Sequence, residues 1–262
     1  TVEAETVAAK DPVVVLPIAA IEQHGPHLPL STDLEIGLGV LTEALRQIDS
    51  GPPILTLPTQ TIGTSIEHLG FAGTLTLDQE LLIETISQLG AAVARCGIRR
   101  LVISNSHGGN TSAVNTASLR LRQEHGLLVI KASYFLFSPP ADTELPEAEW
   151  QHGLHGGAVE TAMMLHLRPD LVRTGAMESF PSLGQELTHS MRHLGPENQI
   201  SFAWLAGDLN PQGVTGDATL ASAKLGASLV SHYAHLLAEV IQDAQAFPLD
   251  RLSRRSQANQ ST

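Results

Sequence analysis

Four short stretches of the chain, residues 13–18, 54–57, 101–104 and 127–132, are apolar at nearly every position and bounded by Gly or Pro. Alternation of apolar and polar positions is missing from them, so they are predicted as strands buried on both faces. Between them the apolar positions recur with helical spacing. A helix is predicted over 34–48, entered through Ser31, Thr32 and Asp33. Thr76-Leu77-Asp78-Gln79 has the Thr-x-x-Gln form of a capping box and opens a second helical segment running to about Cys96, where Gly97 supplies the stop. Further helices are predicted over 110–125, over 159–167 ahead of Pro169, and over 219–247. Strand and helix alternate, which predicts a mainly parallel sheet covered by helices. Two segments break the pattern. Residues 138–154 carry two adjacent prolines, several acids and Trp150, and read as an excursion or lid; residues 180–216 are rich in Gly, Pro, Asn and His.

A length of 262 residues fits one large α/β domain or two small ones. Neither an internal repeat nor a linker is visible, so residues 1–252 are read as one domain and 253–262 as a polar C-terminal tail. The hydrophobic fraction of 42% supports a sizeable core. A formal net charge of −12 argues against nucleic acid as a partner, and leaves carboxylates to spare for a cation. Cys96 is the single cysteine, so no internal disulfide can form, and a reducing compartment is expected. Residues 1–10 lack the apolar core of a signal peptide, and no run approaches the roughly 18–20 apolar residues of a membrane span. The chain is therefore expected in the cytoplasm, with no membrane association.

Sheets of this kind place their sites beyond the carboxyl ends of the strands. Past the first predicted strand comes Ile21-Glu22-Gln23-His24-Gly25-Pro26-His27, in which Glu22 and His24 point the same way if the chain is extended. Asp33 follows at the entrance of the next helix. Past the third strand comes Asn105-Ser106-His107-Gly108-Gly109-Asn110, a histidine followed by glycines that permit close backbone approach. A third cluster, His155-Gly156-Gly157-Ala158-Val159-Glu160-Thr161, again joins histidine, glycines and a carboxylate at a helix entrance. Imidazole and carboxylate without thiolate suit Zn²⁺, Mn²⁺ or Fe²⁺. Several anionic ligands could hold two such ions with one carboxylate bridging, and a bound water would then serve as a nucleophile near neutral pH. Any one of these histidines alone would be an ordinary loop hydrogen-bonder. Three clusters at three element ends point to a metal site.

The same residues carry a resemblance. Glu22-Gln23-His24-Gly25-Pro26-His27-Leu28-Pro29 with Asp33, Gly63-Thr64-Ser65-Ile66-Glu67-His68 leading to Gly73-Thr74, His107-Gly108-Gly109-Asn110, His155-Gly156-Gly157 with Glu160-Thr161, and the late Gly213-Val214-Thr215-Gly216-Asp217 all resemble the creatininase (creatinine amidohydrolase) family, in order, from about residue 13 to 225. The resemblance implies an α/β fold, a three-layer αβα sandwich around a mainly parallel sheet, with a dinuclear centre and usually a homohexamer. It implies that Glu22, His24, Asp33 and His107 are metal ligands, Asp33 bridging, that His155 is the general acid/base, and that Ser65 approaches the substrate. Members that cleave creatinine resemble His-Tyr-Glu-Asn at the second motif, and that Glu is a ligand. Gly108 and Gly109 stand there in this chain, so Glu160 is the expected substitute, and creatinine itself is put in doubt.

The expected activity is hydrolysis of a non-peptide C–N bond in a small molecule, a cyclic amide or a formamide. Alternatives are a peptide-trimming or pterin/purine-directed hydrolase, or a metal-binding homologue without turnover, against which His155 argues. Glu67 and His68 read either as partners orienting the ligands or as a polar turn. His189-x-x-x-His193 has the spacing of a helical metal pair, but Gly195-Pro196 breaks that segment and it is set aside. His232 and His235 are read as surface or interface residues, Met163 and Met164 as core, and Trp150 as a pocket wall or a packing anchor.

Overall fold

In the computed structural model, which describes residues 1–197 and 200–253, the four apolar runs become the strands β1 (Val13–Ile18), β2 (Ile54–Thr56), β3 (Arg100–Asn105) and β4 (Leu128–Ser133). They form one parallel sheet in the order β2-β1-β3-β4. In register, Val14 faces Leu101 and Val15 faces Val102. Side chains alternate between the two faces of a strand, so the sheet feeds two separate cores. Val14, Leu16, Ile18, Leu101 and Ile103 pack on one face with α3 (Gln79–Arg95) and α4 (Thr111–His125). Val13, Val15, Val102 and Ala132 pack on the other with α2 (Thr32–Arg46), α6 (Ala158–Leu167) and α9 (Ala223–Ala246). The result is a three-layer α/β sandwich. Pro17 sits in the central strand without harm: the N–H it lacks would point to the β2 side, where β2 has already ended at Thr56.

The remaining elements are short. They comprise α1 (Val2–Ala8), α5 (Glu147–His152), α7 (Leu183–Leu187), α8 (Ala206–Leu209) and an antiparallel pair, β5 (Ser179–Phe180) with β6 (Gly216–Asp217). Met163 and Met164 are fully buried as expected, and Trp150 packs against the α2–α6–α9 core. Where α6 meets α9, a methyl on Gly226 would lie 1.8 Å from the Ala162 carbonyl oxygen, so only glycine permits this approach.

Three expectations are corrected. Thr76 caps no helix: α3 begins at Gln79 behind Asp78, and the Thr76 hydroxyl accepts from the Ser65 N–H (2.8 Å). The last helix starts at Ala223 rather than 219, with the Ser222 hydroxyl accepting from the Leu225 N–H, because residues 218–220 form a separate 3-10 turn. Excursion 138–154 contains the helical turn α5. Of the predicted polar tail, 254–262 lies outside the described residues.

Candidate metal centre

The strand order reverses beside β1: the chain passes from β1 outward to β2, then returns to the far side of β1 to lay down β3 and β4. At such a switch point the connections leave in opposite directions and open a crevice beyond the strand ends. Ile18 and Asn105 close the β1–β3 ladder, and the chain that leaves them carries Glu22 and His107. Asp33 enters the crevice from the first turn of α2, and Glu160 from the first turn of α6. His155 arrives on an isolated bridge to Thr215, which donates its N–H to the His155 carbonyl (2.8 Å).

Asp33 stands between two imidazoles. Its Oδ1 is 3.8 Å from His24 Nε2 and its Oδ2 is 3.6 Å from His107 Nδ1. Both rings are oriented by their other nitrogen. His24 Nδ1 donates to the Glu22 carbonyl (3.1 Å), and His107 Nε2 to the Thr64 carbonyl (2.9 Å). Each ring therefore turns a lone pair toward Asp33. Glu160 Oε2 lies 3.8 Å from the same His24 Nε2 and accepts from the Gly156 N–H (2.6 Å). Glu22 presents Oε2 at 3.1 Å from His107 Nε2, and Oε1 at 3.3 Å from His68 Nε2 and 3.7 Å from His155 Nδ1. Sets of donor atoms within 4.8 Å of one another are Glu22–Asp33–His107, His24–His155–Glu160 and Glu22–His68–His155.

Both Glu22 oxygens, Asp33 Oδ2 and His24 Nε2 are buried without a hydrogen-bond partner among the described residues. Orphaned acceptors are costly in the interior, and four of them converging is an unusual concentration of that cost. Burial, with the charges of neighbouring carboxylates, pushes the Glu22 and Asp33 carboxyls well above their ordinary range. Burial also lowers His24, His107 and His155 to about 3, so their rings are neutral. Neutral imidazoles and carboxylates that lack positive partners are what a divalent cation requires. The donor set fits the implied metal.

His68 is buried. Its Nδ1 accepts from Gln23 Nε2 (2.8 Å), whose amide orientation follows from Nε2 donating to the Gly213 carbonyl and Oε1 accepting from the Gly25 N–H. The remaining proton of His68 thus sits on Nε2 and faces Glu22. Glu67 is more open, with Oε1 3.6 Å from His107 Nε2. It fills the space a side chain at Gly109 would need, since a methyl there would lie 2.6 Å from Glu67 Oε1 and 2.4 Å from the Thr64 carbonyl. Ser65 is fully buried, and its Oγ has no hydrogen-bond partner among the described residues. His189 and His193 stay outside this cluster; His232 donates to the Ser138 carbonyl and His235 pairs with Glu239. Three contributors escaped the reading of the sequence. Gln23 and Asn110 are polar residues between the histidine signals. The Asn110 amide ties Thr64, Ala19 and Asn105 together. His27 Nε2 donates to the Gly156 carbonyl (3.0 Å) and holds the His155 turn. All three stand in the quoted motifs, which was the available signal.

A three-layer α/β fold with a buried carboxylate–histidine cluster at its switch point defines a class of metal-dependent hydrolases. Comparison with known proteins narrows the class. A family model described as creatininase, creatinine amidohydrolase, matches residues 1–241. The mycofactocin precursor peptide peptidase of Mycobacterium ulcerans (strain Agy99) is 32% identical over 227 residues, covering 82% of this chain and 78% of that protein. Creatinine amidohydrolase of Pseudomonas putida is 32% identical over 181 residues, 63% of this chain and 68% of that protein. A solved point mutant of creatininase superposes with a TM-score of 0.75 at 28% identity, over 93% of this chain and 95% of that one. Related creatininase structures include a manganese form and a zinc–zinc form. The chain belongs to the creatininase family, whose members are metal-dependent hydrolases of C–N bonds.

Proposed function

We propose that the chain hydrolyses a non-peptide C–N bond of a small molecule, a cyclic amide or formamide, at a centre of two divalent ions (Zn, Mn or Fe). The observation that carries this reading is Asp33, with one oxygen turned to His24 and the other to His107. Glu22, His107 and Asp33 would hold one ion; His24, Glu160 and Asp33 would hold the other. When bound, the ions would lower the pKa of a water and polarise the scissile carbonyl.

The chain's own residues supply the rest. His155 Nε2 donates to the Gln23 carbonyl (2.7 Å), which leaves Nδ1 facing the centre. That atom can take a proton and pass it to the departing nitrogen, a poor leaving group until it is protonated. Ser65 Oγ is the hydroxyl left to donate to bound substrate. His68 Nε2–H and Glu67 flank Glu22 and His107 and steady them. A homohexamer in the cytoplasm completes the reading; light scattering with a stable mass near 27.9 kDa, one chain, would count against the assembly.

Trimming of a short peptide is the second reading, favoured by the long alignment with the mycofactocin precursor peptide peptidase. A panel of lactams, hydantoins, formamides and short peptides, offered to metal-reconstituted protein, separates the two. Turnover confined to peptides would overturn the first reading.

A further inference from the structure

Outside the centre, one carboxylate among the described residues is buried with both oxygens engaged. Glu149, on α5 in the excursion, is 6% exposed. Its Oε1 accepts from the Ala158 N–H (2.6 Å), at the first residue of α6. Its Oε2 accepts from the Asp217 N–H (2.8 Å), in β6. Three glycines make room: a methyl on Gly153, Gly157 or Gly216 would lie 2.4, 2.5 or 2.6 Å from Glu149 Oε1. A carboxylate at the start of a helix also suits the helix dipole.

The two segments Glu149 joins are those that bring chemistry to the crevice from the second half of the chain. Helix α6 carries Glu160. The segment leading into β6 contains Thr215, which holds His155 through N–H to its carbonyl and accepts from the Leu154 N–H (3.1 Å) at Oγ1. We infer that Glu149 is a positioning residue of the centre: its two oxygens lock the Glu160 helix to the 215–217 segment that holds His155, and so set how those two groups meet His24. The excursion is accordingly an anchor at α5. This inference rests on the two-ion reading given above.

The test is Glu149→Gln, nearly the same shape with one acceptor replaced by a donor, so that one of the two links is lost. Chelator-stripped protein is titrated with Mn²⁺ alone and followed by calorimetry. Wild-type chain takes up two ions. In the variant the Glu22–Asp33–His107 ion binds unchanged and the His24–Glu160 ion about 10–100-fold more weakly, the usual cost of losing a group that orients a ligand. A purely structural carboxylate would lower thermal stability and leave both binding steps as they were; that result overturns the inference alone. Wild-type protein that binds fewer than two ions overturns the two-ion reading and the inference with it. If Glu149→Gln fails to fold, Gly157→Ala pushes on the same oxygen from outside and is expected to show the same selective weakening. Unaltered binding in that variant is equally decisive against the inference.

Discussion

Asp33→Asn is the most informative single change at the centre. The substitution keeps the shape of the side chain and removes the charge that faces both His24 and His107. A four-ligand zinc site is worth about 10–16 kcal/mol, hence about 2.5–4 kcal/mol per ligand, or roughly 10²–10³-fold in affinity. A carboxylate that serves one ion costs that amount once. Asp33 has one oxygen at 3.8 Å from His24 Nε2 and the other at 3.6 Å from His107 Nδ1, so it should cost it twice. Glu22 supplies the control: its oxygens face His107, His68 and His155, and Glu22→Gln should weaken chiefly one ion. The metal-free variant should be close in stability to the metal-free parent, since burial already favours the neutral carboxyl of Asp33 and the amide that replaces it is neutral too. The assay is elemental analysis after desalting from a defined excess of Mn²⁺ or Zn²⁺, with denaturant unfolding of the chelated proteins beside it. Asp33→Asn that retains two ions per chain, or loses only the one that Glu22→Gln loses, refutes the bridging geometry.

Two further outcomes follow from the same structure. His155→Ala should keep its metal and lose about 10²–10⁴-fold in turnover, less with an acidic leaving group such as a nitroanilide; loss of metal from a folded variant would instead make His155 a ligand. Arg100 is 6% exposed and donates to the Ala244 and Phe247 carbonyls at 2.7 and 2.9 Å, so Arg100→Met should cost about 3 kcal/mol in denaturant unfolding, largely from stranded acceptors. Burial raises the Asp11 carboxyl, but Arg100 and Arg99 outweigh it and hold the group below its ordinary range. Its contribution is present above the unfolded pKa and lost as pH falls through the folded one, so the gap between parent and variant should narrow in acid by the Asp11 share while the carbonyl share persists; a gap that widens below about pH 4 would contradict the pairing.

All four strands were legible in the sequence as apolar runs, with ends displaced by at most a residue, but burial on both faces holds only for the central strands β1 and β3: at the edges, Leu55 and Thr56 of β2 and Lys131 of β4 are exposed. Helices α2, α3 and α4 were legible from their single apolar stripe, and α6, buried over four consecutive residues from Thr161 to Met164, from its apolar content ahead of Pro169. What escaped depended on tertiary partners. Val2–Ala8 buries no residue, so it leaves no apolar stripe to read. Thr76 looked like a cap because its spacing to Gln79 is right, yet its hydroxyl is taken by Ser65, a contact no local pattern reveals. Glu149 looked like one acid among several in a polar excursion. Its burial depends on glycines at 153, 157 and 216, the last far along the chain.

The glycines of the second motif explain why the ligand set is divided as it is. In this backbone no side chain fits at position 109: a methyl would lie 2.4 Å from the Thr64 carbonyl and 2.5 Å from His107 Nε2. A carboxylate therefore does not fit at position 109 in this arrangement, and two others flank the gap it leaves. Glu67 fills the space beside His107, while Glu160 faces His24 across the crevice. Of the two carboxylates, Glu160 is the one that shares a donor set with His24, together with His155. Taking a ligand from α6 makes the centre depend on how that helix is docked. That docking rests on the glycine contact with α9 at Gly226 and Ala162, on His27 holding the Gly156 carbonyl, and on Glu149. These contacts fall on Gly156, Ala158 and Ala162, on either side of Glu160 in the chain. Their substitution should accordingly alter the His24–Glu160 ion before it alters the ion held by Glu22 and His107, whose ligands come from the sheet end itself.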